Sequence, residues 1–141
     1  MNYSEIISYL EKLEEIEGWY TFDFRKKNEL QLDDYLEQLE FTPIENWKRI
    51  DQNKAKELLK LCLAKSLAYG TQNYINEVEV EKVIESIFNL FVSSRLSFLT
   101  NVSFDSHGVH GWTPITKSTF EAALIMEDHE NISVICFEDE D

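Results

Sequence analysis

The apolar residues of this chain keep two different rhythms, and the change between them constrains the fold more than any single motif. Up to about residue 94 they recur at helical spacing, and beyond it they alternate. In the first part, Asn2 and Glu5 form a capping pair ahead of Ile6, Leu10, Leu13 and Ile16, which predicts a helix ending near Glu17 at Gly18. Asp33 is expected to cap a short helix carrying Tyr35, Leu36 and Leu39. The "TPIE" of residues 42–45, with Pro43 at the first helical position, predicts another that carries Trp47 and Ile50. Asp51 caps the longest, where Ala55, Leu58, Leu59, Cys62 and Leu63 line one face opposite Lys54, Lys56, Lys60 and Lys65, until Gly70 closes it. Asn76 and Glu79 then precede Val80, Val83, Ile84, Ile87, Phe88 and Phe91, a face wide enough to need a core.

In the second part, "RLSFLTNVSF" places Leu96, Phe98, Val102 and Phe104 on one face of a strand, and "TFEAALIM" does the same with Phe120, Ala122, Leu124 and Met126. After "EDHEN", Ile132, Val134 and Cys136 alternate with Ile135 and Phe137, which closes a hairpin. Between these strands, "DSHGVHGWTPITKS" at 105–118 reads as a surface loop. Earlier, "WYTFDFRKK" reads either as a short strand or as an aromatic loop under the helices. The expectation is one α+β domain over 1–141, a helix-rich first two thirds packed on a C-terminal hairpin or three-stranded sheet. A chain of 141 residues buries about 70% of its unfolded surface, enough to stand without a disulfide or metal. Cys62 and Cys136 sit in apolar contexts and read as buried thiols.

Charge limits the partners. The net charge is −14, and it is carried by the two ends. Residues 1–40 hold 4 basic and 11 acidic residues, residues 41–100 hold 8 and 7, and residues 101–141 hold 1 and 9. Such a surface repels nucleic-acid phosphates and anionic lipid, and attracts basic proteins. The opening "MNYSEIISYLEKLEE" lacks a basic leader before an apolar run, and no apolar segment approaches bilayer length, so a cytoplasmic protein is expected.

Catalytic motifs are scarce. His107 and His110, with Asp105 and His129, offer nitrogen and oxygen ligands, but a glycine-containing loop does not hold them at metal-ligand geometry, so no metal or cofactor is expected. No GxSxG, GxxxxGK[ST] or GxGxxG occurs, and the many carboxylates single out no acid–base pair, so an enzyme is the weaker reading.

A binding surface is the stronger reading. The acids Asp105, Glu127, Asp128, Glu130, Glu138, Asp139, Glu140 and Asp141, with Trp112 as an aromatic anchor, would form one electronegative face if the loop and hairpin adjoin. Guarding a sheet edge against aggregation is the simpler role for the last four. Asp33, Asp34 and Glu37 are a second candidate surface. Residues 111–141, "GWTPITKSTFEAALIMEDHENISVICFEDED", have a Trp-x-Pro entry, a Thr-Phe strand start, a hairpin and an acidic end. In this they resemble the small acidic immunity proteins of bacterial toxin systems, particularly those paired with contact-dependent growth inhibition toxins. The resemblance implies a cytoplasmic, non-catalytic protein that binds a cognate toxin domain, often a nuclease whose basic cleft an acidic inhibitor can fill. An adaptor for some other basic protein, and a metal enzyme using His107 and His110, are the competing readings.

Overall fold

The alternating segment does build a sheet and helices do cover it, in a computed structural model that describes residues 1–14, 18–64, 77–92 and 95–140. In chain order the elements are α1 (Tyr3–Glu14), β1 (Trp19–Lys26), α2 (Leu32–Gln38), β2 (Lys48–Ile50), α3 (Gln52–Ala64), α4 (Glu77–Phe88), β3 (Ser97–Thr100), β4 (Val102–Asp105), β5 (Gly108–Trp112), β6 (Phe120–Glu127) and β7 (Asn131–Asp139). Five strands form one antiparallel sheet in the order β1-β7-β6-β3-β2, and β4 and β5 form a separate two-stranded one. The fold is α+β. Among the described residues no helix is long and apolar enough to cross a membrane.

The sheet is buried on both faces. On one side, Ala122, Leu124 and Met126 of β6 and Ile135 and Phe137 of β7 meet α1, α3 and α4 through Ile6, Leu10, Leu58, Leu59, Val83 and Ile87. On the other, Ala123 and Ile125 of β6 and Ile132, Val134 and Cys136 of β7 lie under Tyr35 and Leu36 of α2, Phe41 and Ile115. Each large aliphatic or aromatic side chain so buried contributes about 1.5–3 kcal/mol. Two covered faces explain why β6 and β7 read as nearly unbroken apolar runs. Burial also pushes the thiols of Cys62 and Cys136 well above their usual range, so both are inert neutral side chains.

Two helix starts are as the capping residues dictate. The Glu5 amide donates to Asn2 Oδ1 at 2.9 Å and the Asn2 amide to Glu5 Oε1 at 3.3 Å, while the Lys54 amide donates to Asp51 Oδ1 at 2.8 Å. The α1 end expected near Glu17, the stop at Gly70 and the Asn76 cap lie outside the described residues. Gly18 enters β1 with φ +67°, and a Cβ there would stand 2.6 Å from the Glu138 carbonyl oxygen, so both conformation and space require glycine.

Four expectations are corrected. Asp33 lies inside the first turn of α2, whose N-cap is Gln31 with no side-chain hydrogen bond. The helix expected from "TPIE" does not form. The Thr42 amide is held by the Ile115 carbonyl at 2.9 Å, and only a few residues separate Pro43 from the Asp51 cap. Those residues instead seat Phe41, Ile44 and Trp47 on the second face and pair Lys48–Ile50 with β3. The strand expected through "RLSFLTNVSF" breaks at Asn101, so that Phe98 and Phe104 belong to different sheets. Finally, the segment read as a loop at 105–118 contains β5, paired with β4 through a register shift at Ser103/Phe104.

Candidate functional site

The C-terminal acids are dispersed and mostly occupied. The β6–β7 turn and the end of β7 are separated by the full nine-residue strand, about 26 Å. At the turn, Asp128 is buried and its Oδ1 accepts the amides of Glu130 (2.8 Å) and Asn131 (2.7 Å), which makes it a turn-former. Glu127 pairs with Lys27 at 2.9 Å. Glu130 stands exposed, with His129 Nε2 3.5 Å from it. At the far end, Glu138 accepts the Ser118 hydroxyl at 2.9 Å, the buried Asp139 accepts the Glu140 amide at 2.9 Å, and Glu140 accepts both the amide and hydroxyl of Thr119. Glu138 and Glu140 thereby fasten the 116–119 loop to the sheet. Asp141 lies outside the described residues.

Asp105 is on the β4–β5 tip, where it accepts the His107 amide at 2.7 Å and meets His110 Nε2 at 2.8 Å. The His110 hydrogen bond, with that amide, holds the Asp105 carboxyl below its usual range. Trp112 is half-buried against Phe120, ring centroids 5.7 Å apart, and packs on the helical core. It is a core side chain rather than a projecting anchor. His129 sits on the other hairpin, and among the described residues no group of three or more His, Cys, Asp or Glu side chains converges as a metal site would require.

One acid that sequence reading passed over is Glu121, 1% exposed on β6. Its carboxylate accepts the amides of Ile115 (2.9 Å) and Thr116 (3.0 Å), the Thr116 hydroxyl (2.9 Å) and Asn101 Nδ2 (2.9 Å). Asn101 in turn donates to the Thr113 carbonyl at 3.0 Å and accepts the Ala123 amide at 2.9 Å. Its amide side chain thus continues the β6 ladder where β3 has ended.

The α2 layer is different. Tyr35, fully buried, donates its hydroxyl to Asp23 Oδ2 at 2.7 Å, and Arg25 grips the same carboxylate through Nε at 2.8 Å and a second guanidinium nitrogen at 3.0 Å while donating to Gln38 at 2.9 Å. Burial, then the Asp23 hydrogen bond, pushes the Tyr35 phenol far above its usual range, so it remains a neutral donor. With α2 so tethered, Asp33, Asp34 and Glu37 face outward, exposed and with no side-chain partner among the described residues. Glu29, Glu40 and Glu45 join them, likewise exposed, and residues 28–47 contain no Lys or Arg. That gap in the basic residues was legible in the sequence and marks the surface. The one basic residue seen against α2, Arg25, is already paired with Asp23; elsewhere Lys48 reaches Ser103, Lys54 reaches Glu57, and Lys60 meets Glu81 at 2.6 Å.

Two of these glutamates occupy left-handed backbone. Asn28 (φ 42°) and Glu29 (φ 64°) form the centre of a tight turn closed by the Leu30 amide on the Lys27 carbonyl at 2.7 Å. Glu40 (φ 66°) follows the α2 C-cap, with the Phe41 amide on the Leu36 carbonyl and its own amide on that of Glu37, both 3.0 Å. Glycine is the favoured residue at Glu29 and at Glu40. Comparison of the chain with protein-family models, with curated proteins and with solved structures gives no match.

Proposed function

We propose that this chain is a cytoplasmic binding protein that neutralises a basic partner in the manner of an immunity protein, its cognate toxin domain being a nuclease with a cationic cleft. The observation that carries the reading is the α2 layer: six exposed carboxylates between Glu29 and Glu45 with no Lys or Arg among them in the chain, while the neighbouring Arg25 is paired with Asp23. Uncompensated charge of one sign raises the association rate with an opposite surface by roughly 10–10³-fold at low salt. Among the acids first considered, Asp105, Glu127, Asp128, Glu138, Asp139 and Glu140 have partners within the chain, so Asp33, Asp34 and Glu37 with Glu29, Glu40 and Glu45 take the docking role.

Carboxylates at two glycine-type positions support the same reading, because stability is given up there while charge is kept. Glu29→Gly and Glu40→Gly are each expected to raise stability by about 1 kcal/mol, measured by urea unfolding, and to slow partner association. If both substitutions stabilise the fold and leave association unchanged, the carboxylates have no docking role.

The direct experiment co-expresses the chain with a panel of growth-inhibiting nuclease domains. Rescue by the native chain is expected with one of them. Neutralising Asp33→Asn, Asp34→Asn and Glu37→Gln together should slow association at least about tenfold at low salt, with the difference shrinking as salt rises. Neutralising Glu130→Gln should leave it unchanged. Loss of binding in the second variant and not the first would move the site to the hairpin turn.

A further inference from the structure

Trp19 stands on the same face of the sheet as the acidic layer and is 40% exposed. We infer that Trp19 is the aromatic contact of the docking surface and receives an arginine side chain of the basic partner, the guanidinium lying over the indole and reaching Glu138.

The face follows from the register. In the β1–β7 pairing Thr21, Asp23 and Arg25 stand opposite Cys136, Val134 and Ile132, whose side chains belong to the face that α2 covers. Residues directly opposite share a face, and so do residues two apart, so Trp19 and its cross-strand neighbour Glu138 lie on it too. Tyr35 donates to Asp23 and Arg25 donates to Gln38, which sets α2 over the other end of the same strand. The strand from Trp19 to Asp23 spans about 14 Å. A standard interface covers about 800 Å² on each partner, a patch roughly 30 Å across, so one footprint takes in both Trp19 and the carboxylates of α2.

The ring is uncommitted. Among the described residues it makes no aromatic contact, and its indole N–H makes no hydrogen bond. The other exposed large hydrophobic side chains lie on the helical side: Tyr3 packs on Phe22 from α1, Met1 has its amine at Ser86 of α4, Val78 is on α4 and Val92 follows it. Trp112, the anchor expected from the sequence, is packed against Phe120 and the core. Tryptophan is among the residues most enriched where truncation costs binding most.

Chemistry selects the occupant. Glu138 accepts the Ser118 hydroxyl through Oε1, and its other carboxylate oxygen has no hydrogen bond among the described residues. Directly opposite residues have Cβ atoms about 5 Å apart, so a cation over the indole lies within reach of that oxygen. A guanidinium satisfies both, since it is planar, stacks on aromatic rings and carries its N–H donors at the edge, whereas an ammonium is a strongly hydrated point charge. The chain's own cations leave the position open. Arg25 shares the face but is held by Asp23, and Lys26 is exposed on the opposite face at the far end of β1. Lys117, the only Lys or Arg after Arg95, is exposed in the loop that Glu138 holds and forms no ion pair among the described residues. It opposes an incoming cation rather than satisfying Glu138.

The inference rests on the acidic-layer reading, and the experiment separates the two. The full chain is titrated with a peptide of about ten residues alternating arginine and glycine, long enough to reach from Trp19 to α2, and with lysine–glycine and glutamate–glycine versions. The indole N–H signals are followed by NMR, that of Trp19 being assigned by its loss in Trp19→Phe. The arginine peptide is expected to bind most tightly and to shift the Trp19 signal, with those of Trp47 and Trp112 unmoved. Trp19→Ala should weaken that binding at least about fivefold at low and high salt alike, Trp19→Phe should weaken it less, and Lys117→Gln should tighten it. Asp33→Asn, Asp34→Asn and Glu37→Gln together should weaken it chiefly at low salt. An unmoved Trp19 signal, or undiminished binding by Trp19→Ala, overturns the aromatic contact and leaves the acidic layer in place if the triple variant still loses affinity. Equal binding of the arginine and lysine peptides overturns the guanidinium site, and binding of the glutamate peptide, or of none, overturns both readings. The Trp19 signal and Trp19→Phe decide the outcome if the alanine variant does not fold.

Discussion

Replacing Glu121 with alanine is expected to destabilise the chain by about 4 kcal/mol and lower its melting temperature by roughly 15 °C. The side chain is 1% exposed, and removing it strands the amides of Ile115 and Thr116 and one N–H of Asn101, whose side chain keeps its bonds to Thr113 and Ala123. A buried donor left without its acceptor costs its full desolvation, and three are created at once. Glu121→Gln keeps one acceptor oxygen but turns an NH₂ toward donors, so it should cost about half as much. Urea unfolding followed by circular dichroism measures both. A loss below about 1 kcal/mol for the alanine variant would mean that water replaces the carboxylate and that the 113–119 loop is not anchored by it. Exchange protection at the Ile115 and Thr116 amides should fall with stability, since those two are the direct donors.

Tyr35→Ala should cost about the same, and its consequence reaches the proposed docking surface. The ring is fully buried between α2 and the sheet, and its truncation leaves a cavity worth about 3–5 kcal/mol. The change also strips Asp23 of a 2.7 Å hydrogen bond and Arg25 of the ring it lies over at 5.2 Å. Tyr35→Phe keeps the ring and removes only the hydroxyl, so a loss of about 1–1.5 kcal/mol is expected. Helix α2 has seven residues and no side-chain cap at its N-terminus, so it is held by this packing rather than by its own propensity. Partner association should therefore fall far more in Tyr35→Ala than in Tyr35→Phe, although neither substitution changes charge. If both variants associate alike, the acids act without the helix that presents them.

Legibility in the sequence followed the range of the interaction involved. The capping pairs at Asn2 and at Asp51 act within three residues, and both are found where the residue types place them. The β6–β7 hairpin, with Ile132, Val134 and Cys136 opposite Ile135 and Phe137, follows from a two-residue period that any sheet imposes. The capping box at 42–45 failed because its local preference competes with the Ile115 carbonyl and with the pull of Phe41, Ile44 and Trp47 toward the second face. Local preferences of about 1 kcal/mol lose to burial of several large side chains.

The acids show the same division. Their number and the absence of any cation between residues 28 and 47 are properties of the sequence. Which carboxylates remain available is a property of the fold, because a hydrogen bond to Ser118 or Thr119 forms only once distant segments are brought together. The sequence by itself determined an α+β chain of strongly acidic surface, whose helices come first and whose hairpin comes last. Only the tertiary structure decided that the terminal acids fasten a loop, that Glu121 is a buried clamp, and that the unpaired charge lies over α2. Propensity and periodicity are written in neighbours along the chain, whereas the occupancy of a carboxylate depends on groups that folding delivers from far away.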